Sequence, residues 1–247
     1  MIAIGILSPV GGSGRTSLAL MTARQLAAQG RDVVLVQTDP TNLMAAQLGR
    51  PELAGKGLSQ VLGTPGCPVE DCLIPLEDTL RFLPYGSADE TQTIELALRT
   101  ANNPDTLAGI FDSPVFTEHT VLIFDTPRWP SAWCKAVMTL TDLNLVLMVP
   151  DANSLLSIDP LMQSLLNGRG SSYFLVNRFD SSHVLHLDIW TLSKIKLSHR
   201  LLPFYLHEDP ALSECFAAGQ HLPDYAPHSQ LTEDIQKLVN WIDLEIA

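Results

Sequence analysis

SPVGGSGRTSLAL, residues 8–20, is the most informative stretch of this chain. Three glycines, at positions 11, 12 and 14, stand between a short apolar run and a run typical of a helix. Glycines at a strand-to-helix junction let successive backbone N–H groups and the helix N-terminus converge on phosphate oxygens. The stretch therefore predicts a phosphate-binding loop with these nucleotide contacts: Gly11, Gly12, Ser13, Gly14, Arg15, Thr16 and Ser17.

The loop departs from the usual P-loop pattern, G-x-x-x-x-G-K-[ST], at two positions. Pro9 stands where the pattern has glycine, and Arg15 stands where it has lysine. Arginine keeps the positive charge and binds phosphate well, but its guanidinium is a planar fork rather than a compact ammonium. We therefore expect the loop to bind a nucleotide without supporting fast hydrolysis.

Short apolar runs alternate with helical patterns along the chain. The runs that predict buried strands are 2–7, 33–36, 81–85, 120–125, 143–150, 172–177 and 200–206, and the helical patterns are 16–30, 89–101 and 228–246. Nearly continuous hydrophobicity within strands is typical of a parallel sheet that is covered on both faces. The pattern predicts one doubly wound α/β domain over residues 1–247, with a mostly parallel sheet flanked by helices and an irregular surface insertion at 50–78.

The composition argues against several classes of partner. The chain carries 15 Lys and Arg against 27 Asp and Glu, a net charge of −12, whereas nucleic-acid-binding proteins present basic faces. The four cysteines form no Cys-x-x-Cys pair and no cluster with histidine, so we expect reduced structural thiols. No apolar stretch approaches the ~18–20 residues of a membrane-spanning helix, and the N-terminus lacks the charged region of a signal peptide. We expect a cytoplasmic protein.

Two later stretches strengthen the nucleotide-binding interpretation: VQTDPTNL, 36–43, and LIFDTPRW, 122–129. Together with the glycine-rich loop they resemble the deviant Walker A ATPases of the MinD/ParA family. The resemblance implies bound ATP or ADP with Mg²⁺, the metal being held by the hydroxyl of Thr16 and, through water, by Asp125. It also implies that Asp39, in the TDP sequence, lies beside the metal and orients the attacking water.

The chain differs from the family's motifs at positions that bear on catalysis. Val10 stands in place of the signature lysine that reaches the phosphates of a partner subunit, and Gln37 replaces the first aspartate of the second motif. Loss of the lysine removes a cation that would stabilise the transition state. Arg15 and Arg128 are the cations left for that role, although a solvated loop arginine is an equally open interpretation of Arg128.

Residues in the last third of the chain are predicted to bind the base. In the family, an Asn at a strand end contacts adenine, and this role falls on Asn177 in FLVNRFD, 174–180. The loop after the following strand lines the base pocket, which assigns Pro203, His207, Glu208 and Asp209 to its wall. Taken by itself, a strand-end Asn is usually a turn residue.

The segment RLLPFYLHEDPALSECFAAGQHLPDYAP, 200–227, narrows the resemblance to the cellulose-biosynthesis branch of the family, the BcsQ proteins. This resemblance implies an ATP-dependent homodimer that acts as a switch or scaffold in the assembly or polar placement of the cellulose synthase machinery. It also implies a small partner similar to BcsR and recruitment by partners to the inner membrane or the cell pole. The alternatives are a partitioning or positioning ATPase of the ParA or MinD type and a nucleotide-free pseudoATPase scaffold.

Two further features each have two interpretations. The last helical pattern carries an apolar stripe, but its acidic neighbours would be repelled by anionic lipid, so we expect a packed core helix rather than a membrane anchor. Trp129 and Trp133 belong either to the core or to a partner surface, where aromatic residues are enriched, and we favour the surface.

Overall fold

In a computed structural model, which describes residues 1–246, the chain forms a seven-stranded sheet. Its strands are β1 (Ile2–Leu7), β2 (Asp32–Gln37), β3 (Ile74–Glu77), β4 (Leu80–Leu83), β5 (Thr120–Asp125), β6 (Leu143–Met148) and β7 (Ser171–Val176). The strand order is β3-β4-β2-β5-β1-β6-β7, and neighbouring strands are parallel except at the β3–β4 edge. The predicted doubly wound, mostly parallel sheet is confirmed.

Helices flank the sheet. Those of residues 1–246 are α1 (Arg15–Ala28), α2 (Met44–Gln47), α3 (Leu58–Gly63), α4 (Glu90–Asn102), α5 (Ala132–Leu140), α6 (Ala152–Leu156), α7 (Ile158–Leu165), α8 (Val184–Leu197), α9 (Pro210–Ala217), α10 (Leu222–Tyr225) and α11 (Gln230–Glu245). Short 3₁₀ turns lie at Pro51–Ala54, Val69–Cys72, Pro104–Thr106, Ala108–Asp112 and Ser198–Arg200. Within these residues, no helix is both long enough and apolar enough to cross a membrane.

Both faces of the sheet are buried. Alternate residues of a strand point to opposite faces: Ile4 and Ile6 pack in the cluster that contains α1 and α11, whereas Val34 and Val36 pack in the cluster that contains α5. This burial explains the nearly continuous hydrophobicity of the strands. The carboxyl ends of β1, β2, β5 and β7 all lie at one end of the sheet, where ligand crevices form in folds of this type.

Two predictions about the sheet are wrong. The run 200–206 is not a strand: Leu202 and Leu206 donate backbone hydrogen bonds to β7, but no regular ladder joins them. Pro203, which has no N–H to donate, stands between them. The segment 50–78 is not wholly irregular, because it contains α3 and the edge strand β3. The four-residue β3 carries Pro75, which sequence patterns count against a strand but which an edge position tolerates.

The structure answers the two open questions about the last helix and the two tryptophans differently. Helix α11 packs against α1 and buries its apolar stripe, as expected for a core helix. Trp133, by contrast, is buried and lies edge to face against Tyr85, with ring centroids 5.7 Å apart, so the surface prediction is wrong for it. Trp129 is partly exposed and packs on the cluster around α7.

Candidate nucleotide-binding site

The glycine-rich loop joins β1 to α1 and has the backbone conformation that its glycines permit. Gly12 and Gly14 have φ of 68° and 90°, in the left-handed region that side chains disfavour. Gly14 is the residue before α1 and has no side chain with which to cap it. The first N–H groups of α1 therefore lack a side-chain cap, and no acidic residue lies in the first turn of the helix. The positive end of the helix dipole at this N-terminus favours a negatively charged ligand. This is the geometry of an anion-binding loop.

A cavity of about 340 Å³ lies over this loop. Its size falls within the ~300–1,000 Å³ of small-molecule sites. The structure brings to it predicted residues from both ends of the chain, namely Gly12, Ser13, Gly14, Arg15, Thr16, Ser17, Asn177, His207, Glu208 and Asp209. Gly11 and Pro203 are exposed and do not line it. Residues that the sequence did not predict also line it, among them Arg178, Gln47 and Phe216.

Asn177 is held against the loop. Its side chain is buried, and its Nδ2 donates a hydrogen bond to the Ser13 carbonyl at 2.8 Å. A Cβ at Gly14 would approach the same Nδ2 to 2.5 Å, so only glycine fits there. This hydrogen bond uses one hydrogen of Nδ2 and fixes the orientation of the amide, which keeps its second Nδ2 hydrogen as a donor and its Oδ1 as an acceptor.

The wall formed by residues 207–209 is fixed by local hydrogen bonds. His207 donates its backbone N–H to Asp234 Oδ2 at 2.9 Å, and its Nδ1 lies 2.7 Å from the same oxygen. Asp234 is buried on α11, so this contact ties the wall to the core. Asp209 accepts from the Ala211 N–H at 2.9 Å and caps α9. The wall is thus built on two helices.

The side of the site where the sequence predicts a metal centres on Asp125, at the end of β5. Asp125 is fully buried, and Thr16 donates its hydroxyl hydrogen to Asp125 Oδ1 at 3.2 Å. The second oxygen, Oδ2, is buried without a hydrogen-bond partner among residues 1–246. The pKa of Asp125 is raised to about 7, chiefly by burial; the hydrogen bond from Thr16 opposes this rise, the charge of Asp39 adds to it, and the charge of Arg15 opposes it. A buried carboxylate with a free oxygen beside a hydroxyl fits Mg²⁺, which prefers oxygen ligands.

Asp39 lies after β2 and does not line the cavity. Its Oδ1 accepts from the N–H and from the hydroxyl of Thr41, both at 2.9 Å. Its charge nevertheless acts on Asp125. The neighbouring Gln37 is buried, and its Oε1 has no partner within the described residues.

The two candidate cations are placed differently. Arg15 donates from Nε to the Thr126 carbonyl at 2.9 Å and from Nη1 to the Val10 carbonyl at 3.0 Å. It therefore ties the loop to the segment after β5, and the Trp129 N–H strengthens this link by donating to the Ser8 carbonyl at 2.9 Å. Arg128 is exposed and makes no ion pair in the described part of the chain.

Arg178 is the main site residue that the sequence did not predict. It has a φ of 60° and donates to three acceptors: Nη1 to the Gly12 carbonyl at 3.0 Å, and Nε and Nη2 to the two carboxylate oxygens of Glu208 at 2.7 and 3.0 Å. The signal that could have identified it is its position directly after Asn177, beyond the carboxyl end of the parallel strand β7.

A glycine-rich loop between β1 and α1, facing a buried aspartate at the end of the adjacent β5, defines a P-loop nucleotide-binding fold of the MinD/ParA type. Structural comparison agrees. MinD of Pyrococcus horikoshii, solved in complex with Mg-ADP, matches with a TM-score of 0.80 at 20% identity over 98% of this chain and 96% of that one. A McdA variant from Cyanothece, solved in complex with ATP, matches with a TM-score of 0.78 at 18% identity over 97% and 96% of the two chains.

Sequence comparison gives the family. The model of the family described as "Cellulose biosynthesis protein BcsQ" matches residues 1–242. Cellulose biosynthesis protein BcsQ of Escherichia coli strain K12 is 25% identical over 249 aligned residues, which cover 98% of this chain and 94% of that protein. The chain belongs to the BcsQ family.

Proposed function

We propose that this protein binds Mg²⁺-ATP in the cavity over residues 11–17 and acts as a dimeric, slowly hydrolysing or non-hydrolysing switch or scaffold in bacterial cellulose synthesis. The observation that carries the proposal is the combination of the uncapped N-terminus of α1 with the buried Asp125 beside Thr16. The first favours phosphate, and the second favours the metal that accompanies it. We also propose that the whole chain, 1–247, is a single nucleotide-binding domain.

The base would be selected by Asn177. The Ser13 carbonyl holds its Nδ2 at 2.8 Å and so fixes the orientation of the amide. We infer that Oδ1, rather than the second Nδ2 hydrogen, faces the base. An acceptor is matched by the 6-amino group of adenine and is repelled by the 6-oxo group of guanine. We therefore expect ATP to be preferred over GTP, with His207, Glu208 and Asp209 forming the wall beside the base.

The metal would be held by Thr16 and, through water, by Asp125. When bound, Mg²⁺ would neutralise phosphate charge and supply the positive field that phosphoryl transfer requires. Asp125, ionised in the presence of the metal, would help to hold Mg²⁺ in place. Asp39, in the neighbouring loop, would orient a water molecule. Each of these roles is a proposal based on the positions of the side chains at the ends of β2 and β5.

We expect slow turnover because few positive charges are placed to stabilise the transition state. Val10 supplies no charge where the family's lysine would reach across a dimer. Two of the five N–H donors of Arg15 are engaged with the Thr126 and Val10 carbonyls, so only the other three could contact phosphate, and only from the position that these bonds fix. We expect turnover far below the ~10 per second of a typical enzyme.

The dimer would be a two-fold sandwich closed over the nucleotide. A two-fold interface uses the same patch on each partner, and here the patch would contain the loop rim, Asp39, Arg128 and Trp129. Arg128 is exposed beside the loop, where it could face the phosphates of the other subunit. Such a dimer would present a composite surface to a small BcsR-like partner and to the membrane-bound cellulose synthase complex, which would recruit it to the inner membrane or the pole.

The test is light scattering with ADP, with ATP and with a non-hydrolysable ATP analogue. We expect monomers with ADP and dimers with the analogue, and we expect Arg128→Ala to weaken the dimer. Arg169→Ala is the matched control, because Arg169 is also an exposed arginine and pairs only with Asp142 at the opposite end of the sheet. A monomer in every nucleotide state would reject the switch, and a protein that binds no nucleotide would favour a pseudoATPase scaffold.

A further inference from the structure

Arg178 joins three separate segments around the cavity. It follows β7, its Nη1 reaches the carbonyl of Gly12 in the glycine-rich loop, and its other two nitrogens grip Glu208 in the wall of the cavity. Gly12, Arg178 and Glu208 all line the cavity. The side chain is therefore a cross-link between the part of the site that would hold phosphate and the part that would hold the base.

The backbone of Arg178 is held in an uncommon conformation to allow this. Its φ of 60° lies in the left-handed region, where non-glycine residues are rare and often functional. The conformation is fixed from both sides, because Asn177 donates its N–H to the Met148 carbonyl at 2.8 Å and Phe179 donates its N–H to the Leu206 carbonyl at 2.9 Å. The backbone hydrogen bonds on either side of Arg178 thus fix the direction in which its side chain leaves the chain.

The pair also removes a negative charge from the cavity. Glu208 is about half exposed and points its carboxylate at Arg178 in a two-nitrogen, two-oxygen contact. Planar guanidinium and carboxylate groups match in this geometry, which a lysine cannot reproduce. Without Arg178, an unpaired carboxylate would lie in the site proposed for a polyanionic ligand and would repel it.

We propose that Arg178 is a positioning residue for nucleotide binding, and that it orients the Gly12 peptide for phosphate while neutralising Glu208. This inference rests on the proposed function, since it assumes that the cavity takes a nucleotide. Both effects act on the charge of the ligand: the Gly12 peptide lies in the loop proposed for phosphate, and an unpaired Glu208 carboxylate in the cavity wall would repel the phosphates across the cavity. Loss of Arg178 should therefore weaken ligands in proportion to their phosphate charge.

The experiment measures the affinities of ATP and AMP by calorimetry for the wild type, Arg178→Gln, Arg178→Lys and the double variant Arg178→Gln with Glu208→Gln. We expect Arg178→Gln to lose about tenfold in ATP affinity and less than about threefold in AMP affinity, which carries less charge. The ATP affinity of Arg178→Lys should fall between those of the wild type and Arg178→Gln. The double variant should bind ATP more tightly than Arg178→Gln alone.

Arg31→Gln is the control. Arg31, beyond the carboxyl end of α1, also makes an exposed two-nitrogen contact with a carboxylate: its Nε and Nη2 donate to Asp243 Oδ1 at 3.1 and 2.8 Å. Urea midpoints of all variants separate lost folding from lost binding. The inference is wrong, while nucleotide binding stands, in any of three cases. Arg178→Gln has the same ATP affinity as Arg31→Gln, it loses ATP affinity and AMP affinity by the same factor, or its ATP affinity does not rise when Glu208→Gln is added. If the wild type binds neither ATP nor AMP, the proposed function falls as well.

Discussion

Asp125 should make the nucleotide-free protein less stable as pH rises. Its carboxyl group is fully buried at the end of β5, and burial raises its pKa to about 7 from the ordinary 3.8. The folded chain therefore keeps this proton over a pH range in which the unfolded chain has lost it, so the free energy of unfolding falls as pH rises through that range. At about 1.4 kcal/mol per pH unit, the full effect is about 4 kcal/mol, of which about 2 kcal/mol falls between about pH 5.5 and pH 8.

The assay is urea denaturation of the wild type and Asp125→Asn at those two pH values, without Mg²⁺ or nucleotide. Asn keeps the shape of the side chain but cannot ionise, so the variant should gain about 2 kcal/mol relative to the wild type between the lower and the higher pH. Titrations of histidine and other groups are common to both proteins and cancel in the difference. Added Mg²⁺-ATP at the higher pH should stabilise the wild type more than the variant. A difference between the two proteins that does not change with pH would refute the reasoning.

Three further predictions concern the base, the water and the core. In competition calorimetry ATP should bind at least about tenfold more tightly than GTP if, as proposed, Asn177 Oδ1 accepts from the 6-amino group of adenine; equal affinities would contradict this orientation. Asp39→Ala should abolish residual phosphate release while leaving ATP affinity within about twofold, since Asp39 does not line the cavity; retained hydrolysis would exclude it. Leu238→Ala on α11, where Leu238 is completely buried, should lower the free energy of unfolding by about 3 kcal/mol. Leu244→Ala, at an 82% exposed position of the same helix, should change it by less than about 0.5 kcal/mol.

The parts of the fold that sequence reasoning predicted are those set by local pattern. The glycine spacing at 11, 12 and 14 predicted the loop, and the apolar run before Asp125 predicted a buried strand that ends at the site. Both signals lie within a few residues of the chain. The same holds for α11, whose apolar stripe already indicated one buried face.

The parts that were not predicted depend on distant contacts. Nothing near Arg178 in the sequence indicates that its partners are Gly12 and Glu208, which lie 166 and 30 residues away. Likewise, the burial of Trp133 depends on its contact with Tyr85, which lies in the segment after β4. The edge position that tolerates Pro75 in β3 becomes visible only once the sheet order is known.

The central claim is that the glycine-rich loop binds nucleotide phosphate, and calorimetric titration of Mg²⁺-ATP into the wild type and Gly14→Ala tests it most directly. A Cβ at Gly14 would lie 2.5 Å from Asn177 Nδ2 on a backbone with φ of 90°, so the loop would have to distort. Gly109→Ala is the control, because a Cβ there meets no atom within 4 Å. We predict saturable binding to the wild type and to Gly109→Ala, and a loss of at least about tenfold in affinity for Gly14→Ala. Equal affinity in all three proteins, or no binding to the wild type, would contradict the claim.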